Sequence, residues 1–378
     1  MKIFIGAGEA SGDLLGSRLI TELKSRYPVC HIMGIGGPLM ERAGLKSFLP
    51  MEDLSLIGIF EVLPKLPKLL MHLWRTKRFI LKQKPDVIIT IDAPDFYLRL
   101  LKQVKKKCAI PTIHYNAPAV WASRPKRAKK IACFVDHLLC LFPFEPSYFA
   151  QENMKATFVG HPLTELHDTK SAALPLPDSA TIVTVLFGSR PQEIKRLRDP
   201  FIESCVLLKK DIPNLYLLIP TFDTYKAVLQ QKLELSGIPY SFVDQEQKHL
   251  AFKMSKAALA ASGTVAIELA QAAVPFVVGY KLSPLTYILA KRLIITPYVC
   301  LINILLKEPL IPECLQDNCT PRKLFHELSK ILTAEKKTLQ NIKNTLGKAY
   351  TMLRPHQGTP SQMACDVIIN CLKSCLKS

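Results

Sequence analysis

The sequence predicts an α/β protein of two Rossmann-like domains facing a central cleft, and three observations carry that prediction. The chain opens on a short apolar strand, Lys2 to Ile5, that runs into Gly6, Gly8 and Gly12 before a helical pattern begins near Asp13. Strand-like and helix-like segments then alternate in two series. Between the series, Leu166 to Thr181 loses periodicity and gains Pro, Asp, Ser and Ala, as a linker does. A chain of 378 residues is long enough for two cores. The expected division is 1–165, 181–355 and a C-terminal helix over 356–378.

The first series begins with the helix Asp13 to Arg26, whose Leu14, Leu15, Leu19, Ile20 and Leu23 recur at helical spacing. Strands are expected at Cys30 to Ile35, Val87 to Ile91, Pro111 to Tyr115, His137 to Leu141 and Ala156 to Val159. Leu54 to Leu63 is apolar. Pro64 to Lys84 then carries seven basic residues (Lys65, Lys68, Arg75, Lys77, Arg78, Lys82, Lys84) and no acidic one. Leu66, Leu69, Leu70, Leu73 and Trp74 fall on one face of the helix predicted there. That composition fits an interfacial helix, although a helix before a buried strand also packs its leucines inward. The second series places strands at Ile182 to Leu186, Leu215 to Ile219, Tyr240 to Val243, Ala257 to Ala260 and Pro275 to Gly279.

Fifty basic against 31 acidic residues leave a net charge of +19, which favours anionic partners: nucleic acid, phosphorylated substrates or an anionic membrane surface. No basic stripe interleaved with aromatics and no nucleic-acid motif accompanies it, so nucleic acid is not expected. Eleven cysteines show neither a Cys-x-x-Cys pair nor zinc spacing. They read as core residues of a reducing compartment, and neither a metal nor a cofactor is expected. No signal peptide is visible, and the longest uncharged apolar run, Leu293 to Leu306, is too short to span a bilayer.

The glycine-rich turn after the first strand is a place where backbone N–H groups converge on an anion. Its spacing, G-x-G-x-x-x-G, departs from the dinucleotide fingerprint, and the next strand lacks the acidic residue that would hold an NAD ribose. Glycines that merely let a strand turn would not explain Glu9 and Ser11 at the mouth. Asp92 ends a strand, where open α/β sheets bind ligands and a carboxylate can deprotonate a hydroxyl. Asp95 reads as the cap of the helix after Pro94. Arg190, in Gly188-Ser-Arg190, suits a diphosphate. Ser262, Gly263 and Thr264 offer hydroxyl and N–H donors for phosphate, with Glu268 one turn on for ribose hydroxyls. His114 and His161 read as structural.

These motifs, in order, resemble those of the lipid-A-disaccharide synthases. The matching pieces are Gly8-Glu-Ala-Ser-Gly-Asp13, Ile91-Asp-Ala-Pro-Asp-Phe96, His114-Tyr115, Val120-Trp-Ala122 and Gly188-Ser-Arg190. Ala261-Ser-Gly-Thr264 with Glu268, Val278-Gly-Tyr280 and Ala290-Lys-Arg-Leu293 complete the set. The resemblance implies an inverting, metal-independent glycosyltransferase of the GT-B fold. Such an enzyme moves 2,3-diacylglucosamine from UDP-2,3-diacylglucosamine to the 6-hydroxyl of 2,3-diacylglucosamine 1-phosphate (lipid X). It further implies Glu9, Ser11 and Asp92 on the acceptor side, with Asp92 or Glu9 as the base. Arg190 and the 261–268 loop would then lie on the nucleotide side. The expected setting is cytoplasmic, peripheral to the anionic inner membrane, with a homodimer as a candidate assembly. The family commonly has Trp, Pro and Pro where Ser123, Phe187 and Ile302 stand. Another GT-B transferase or epimerase acting on a soluble sugar is the alternative.

Overall fold

Alternating apolar strands and amphipathic helices close into two six-stranded sheets in the computed structural model, which describes residues 1–54, 59–122, 126–165, 174 and 176–375. Ser123, most of the 166–181 linker and the Lys65 side chain lie outside the described residues. The chain divides into two compact units, Met1–Glu165 with Leu353–Ser378, and Leu166–Met352. The last stretch thus returns to the first unit. There Glu165 accepts from Ser361 N and Ser361 Oγ at the start of the helix Pro360–Cys375, and from Arg18 Nη1 at 3.1 Å.

The first sheet comprises β1 (Lys2–Ala7), β2 (His31–Ile35), β3 (Val87–Ile91), β4 (Thr112–Tyr115), β5 (His137–Cys140) and β6 (Lys155–Phe158), in the order β2-β1-β3-β4-β5-β6. The second comprises β7 (Thr181–Leu186), β8 (Leu215–Pro220), β9 (Tyr240–Val243), β10 (Ala257–Ala261), β11 (Phe276–Tyr280) and β12 (Glu313–Leu315), in the order β12-β11-β10-β7-β8-β9. Every described pairing is parallel. Parallel strands are covered on both faces, so they need near-continuous apolar runs. Val87–Ile91 and Thr181–Leu186 supply them and are buried throughout. In each unit the strand order reverses once, at β1/β3 and at β7/β10, and that switch point is where open sheets bind ligands.

The first helix starts earlier than the apolar spacing predicts, at Ala10 rather than near Asp13. Asp13 is buried inside it and reaches sideways. Its Oδ1 accepts from Gly37 N at 2.9 Å and Met40 N at 3.0 Å, and its Oδ2 from Leu39 N at 2.9 Å. One carboxylate therefore satisfies three amides at the start of the helix Pro38–Arg42 and ties β2 to the first helix. Asp95 corrects a sequence expectation. The cap of the helix Pro94–Lys105 is Ala93, while Asp95 sits in the first turn and pairs with Arg127 at 3.1 Å.

The basic stretch is one helix, Ile59–Gln83, and its apolar residues do not share a single fate. Leu69, Leu73 and Ile80 are buried, and Phe79 stacks on Phe48 with ring centroids 4.2 Å apart. Leu66, Leu70 and Trp74, four residues apart in turn, form a separate exposed stripe with Met71 beside it. Trp74 is 57% exposed, and the Arg78 guanidinium lies 5.4 Å from its ring centroid.

The turn after β4 is held from below. Glu145, 1% exposed, accepts from Trp121 Nε1 at 3.0 Å and from the amides of Leu141 and Phe142 at 2.9 and 3.0 Å. The Trp121 ring packs edge-on to Phe144, and Phe144 stacks on Phe142. Burial pushes the Glu145 carboxyl from 4.5 up to about 7, against the pull of its three donors.

Two stability predictions follow from these buried carboxylates. Asp13→Ala leaves the amides of residues 37, 39 and 40 without their acceptor and should cost about 2–4 kcal/mol in denaturant unfolding. The second uses pH. The folded chain keeps the Glu145 proton up to about pH 7, whereas an unfolded chain releases it near 4.5. Its contribution is therefore intact below pH 4.5 and is lost as pH rises through 7. Relative to Glu145→Gln, the wild type should lose on the order of 3 kcal/mol across that window. A stability difference that stays flat with pH would mean that Glu145 does not titrate there.

Candidate active site

At the β1/β3 switch point the chain brings Ser11, Asp92 and Asn116 together. Register does most of this. Ile91 pairs with Tyr115, so the residues that follow each strand, Asp92 and Asn116, leave the sheet edge side by side. Both adopt left-handed backbone, φ 54 at Asp92 and φ 73 at Asn116, a conformation Asp and Asn tolerate better than other side chains. Asp92 Oδ2 accepts from Ser11 Oγ at 2.8 Å, and Asn116 Nδ2 donates to Asp92 Oδ1.

The glycines of the opening turn serve this approach. A Cβ on Gly12 would stand 3.2 Å from Asp92 Oδ2 and 3.3 Å from the Ala7 Cβ. A Cβ on Gly8 would stand 2.5 Å from that of Ala93, and one on Gly6 would meet the Tyr97 ring at 2.8 Å. The Tyr97 hydroxyl needs that space to donate to Ala7 O at 2.7 Å. Glu9 is exposed at the N-terminus of the helix Ala10–Arg26, in extended backbone.

Asp92 is only 6% exposed, and burial pushes its carboxyl above the usual range, while the bonds from Asn116 and Ser11 pull it down. A carboxylate raised in this way is a stronger base than one at the surface. His114 lies a strand away with its Nδ1 2.8 Å from Thr90 Oγ1, and burial drives it down to about 3, so the ring is neutral. His161 is likewise buried and lowered to about 4.

The β7/β10 switch point opens into a pocket of about 430 Å³. Arg190, Ser262, Gly263, Thr264 and Glu268 all line it. Glu193 organises one wall. Its Oε2 accepts from Ser189 N at 3.0 Å and Arg190 N at 3.2 Å, and Tyr280 Oη donates to its Oε1 at 3.3 Å. Gly188, at φ +104, makes room, because a Cβ there would meet Glu193 Oε2 at 2.4 Å. This leaves the Arg190 side chain 66% exposed, with only a 3.9 Å approach to Glu193.

Two expectations change in detail on the other wall. The Ser262 hydroxyl donates to Val299 O at 3.3 Å, so it is engaged with backbone. Glu268 is paired with Lys248 at 2.6 Å, which brings a second cation to the pocket. Sequence reasoning missed Asn116, Glu193 and Lys248, and held Tyr280 only as the end of the Val278-Gly-Tyr280 motif, without a role. Only Asn116 had a signal, an amide one residue past a strand level with Asp92. Phe187 and Ile302 are buried and so lie in the packing rather than in the pocket; Phe187 lies against Phe201 with ring centroids 5.7 Å apart.

The fold is shared with nucleotide-sugar enzymes of known structure. The UDP-GlcNAc 2-epimerase of Neisseria meningitidis, bound to UDP-GlcNAc, matches with a TM-score of 0.63 at 12% identity, over all of both chains. The glycotransferase of kitacinnamycin matches with a TM-score of 0.64 at 16% identity, over 98% of each chain. At such identities the likeness is one of fold alone, the two-domain GT-B fold. Sequence carries the comparison further. A Lipid-A-disaccharide synthetase family profile matches residues 3–366. The lipid-A-disaccharide synthase of Rhodospirillum centenum is 40% identical over 377 residues, covering 97% of this chain and 94% of that protein. A match of that depth over nearly the whole of both sequences decides the question: the chain belongs to the lipid-A-disaccharide synthase family.

Proposed function

We propose that the chain joins two diacylated glucosamines, taking one from UDP-2,3-diacylglucosamine and adding it to the 6-hydroxyl of lipid X. The products are the β-1,6-linked lipid A disaccharide 1-phosphate and UDP. The observation that carries the assignment of roles is the Asp92 carboxylate, buried at a switch point and contacted by the neutral donors Ser11 and Asn116. In this reading Asp92 accepts the proton of the acceptor hydroxyl as that oxygen bonds to the anomeric carbon of the donor. The bond from that carbon to the diphosphate oxygen breaks, and UDP leaves with the electron pair. Attack from the face opposite the leaving group inverts the centre. Ser11 and Asn116 hold the carboxylate in one orientation, and Glu9, exposed at the same mouth, is the alternative base.

The leaving diphosphate gathers negative charge, and Arg190 is the cation free to meet it. Lys248 reaches the same pocket, although Glu268 neutralises part of its charge. Glu268 and the 262–264 loop hold the nucleoside part in this reading.

Both substrates carry acyl chains, so the enzyme works where lipids are. Among the described residues no helix is long and apolar enough to cross a membrane. The exposed stripe Leu66, Leu70, Met71 and Trp74, flanked by exposed Arg75 and Arg78, has the make-up of a helix that lies on an anionic surface. Its buried neighbours Leu69 and Leu73 anchor it to the first unit.

Two variants test the roles. Asp92→Asn keeps the shape and removes the proton acceptor, so kcat for disaccharide formation should fall by roughly 10²–10⁴ while the fold persists. Near-normal turnover by a folded variant would move the base to Glu9. Arg190→Ala should weaken UDP binding by about 1.5–3 kcal/mol in calorimetry, with a matching rise in UDP-sugar KM. Unchanged affinity would shift the diphosphate toward Lys248 and the 262–264 loop.

A further inference from the structure

The second unit carries an exposed apolar surface that the reaction does not use. It lies on an excursion that leaves the pocket wall at Tyr280, which lines the pocket, and returns at Val299, whose carbonyl accepts from the pocket residue Ser262. Both ends are fixed. Leu282 N donates to Gln316 Oε1 at 3.3 Å, and Glu313 accepts from Val299 N and Cys300 N, each at 2.9 Å. Asn303 adds a third bond to Glu313 at 2.9 Å. Between these anchors runs the helix Pro284–Leu293, capped by Ser283 Oγ accepting from Thr286 N at 3.1 Å.

An anchored segment would ordinarily turn its apolar residues inward, and five of the described apolar residues of this one do not. Ile288 is 53% exposed and Ile295 56%, with Tyr287, Leu293 and Ile294 exposed beside them. Lys291 and Arg292 are exposed among them. No acidic residue occurs between Glu268 and Glu308, while Lys281, Lys291, Arg292 and Lys307 fall within that span.

We propose that this surface, the helix Pro284–Leu293 with Ile294 and Ile295, is a second lipid-contact surface, carried by the nucleotide-binding unit and matched to an anionic bilayer. Exposed branched aliphatics and a tyrosine enter the headgroup and upper acyl region, while Lys291 and Arg292 keep their charges at the phosphates. Charge selects this occupant over a second copy of the chain. A twofold contact would set the same patch against itself, bringing Lys291 and Arg292 near their own images with no carboxylate from this segment to offset them. The inference rests on the reading that the enzyme works at a lipid surface, and it adds that the donor-side unit makes its own contact there. A diacylated donor would then reach the pocket from the same lipid phase.

The experiment is co-sedimentation of the full chain with phosphatidylglycerol vesicles and with phosphatidylcholine vesicles, across a salt series. Wild type is compared with I288S/I294S/I295S, with K291E/R292E and, for the first unit, with L70S/M71S/W74S. Calorimetry with UDP and gel filtration accompany each variant to report folding and size. The proposal expects both variants of the second unit to keep UDP affinity and wild-type size. K291E/R292E should lose phosphatidylglycerol binding by roughly fivefold or more for each cation removed, an effect that fades with salt. I288S/I294S/I295S should lose binding to both vesicle types. Wild-type vesicle binding by I288S/I294S/I295S overturns the proposal. A size change in that variant would then assign the surface to a second copy. If L70S/M71S/W74S alone loses binding, the lipid-surface reading stands and this inference falls; if every variant binds normally, both fall.

Discussion

The first unit depends on a carboxylate that is largely withdrawn from water. Strand β3 is buried along its whole length and ends abruptly on Asp92, in left-handed backbone under the helix Ala10–Arg26. An unpaired carboxylate at that depth would be costly, so its surroundings must supply donors. Among the described residues they do so without a cation, through the Ser11 hydroxyl and the Asn116 amide. This constraint reaches outward. A Cβ on Gly12 would press on Asp92 and Ala7 at 3.2–3.4 Å, so glycine eases the close approach of the helix, and β4 must stay in register for Asn116 to arrive level with Asp92. The turn after Asn116 is in turn pinned by Trp121 on the buried Glu145. Site and fold are therefore one hydrogen-bonded structure on this side.

In the proposed reading the second unit solves a different problem. A diphosphate needs charge that is free when the ligand arrives, and an arginine bound into the fold would not be free. Glu193 provides the separation. It takes the Arg190 backbone N–H and the Tyr280 hydroxyl, which shapes the wall, and leaves the Arg190 side chain almost unengaged. Lys248 is the contrasting case, already paired with Glu268 at 2.6 Å. Two cations line one pocket, and only one carries most of its charge outward.

How much of this is legible in the sequence follows from the range of each interaction. Strand–turn–helix order is local, so the parallel strands and the residues at their carboxyl ends can be read from apolar runs and glycines. The three-residue strand β12 cannot, because Glu313–Leu315 has no run of its own and is fixed by Asn303, Val299 and Cys300. Asp95 beside Pro94 looks like a cap, but the left-handed Ala93 moves the helix start back and leaves Asp95 to Arg127. The 59–83 helix reads as a single apolar face. Its leucines divide instead between the core and an exposed stripe, since residues three apart and four apart drift to different sides of the cylinder. Lys248 meeting Glu268, and Glu193 meeting Tyr280, leave no trace in spacing at all.

Charge placement closes the comparison between carboxylates. In a chain with 50 basic and 31 acidic residues, many carboxylates have a cation to pair with. Asp53 pairs with Lys68, whose hydrogen bond and charge hold its carboxyl below the usual range. Asp136 is raised by burial, but the bond from Lys105 and the bonds from the Thr112 amide and hydroxyl outweigh it and hold that carboxyl low as well. Asp92 shifts the other way because burial raises it and its two hydrogen-bond donors are neutral. The stretches that build its surroundings, residues 3–17, 85–98 and 108–123, contain no lysine or arginine, and each is bounded by one: Lys2 and Arg18, Lys84 and Arg99, Lys107 and Arg124. A lysine brought within a few ångströms would lower the carboxyl and leave a poorer proton acceptor. The basicity of Asp92 thus rests on its burial, against the pull of its two neutral donors, and the stretches that build its surroundings add no lysine or arginine to pull it further down.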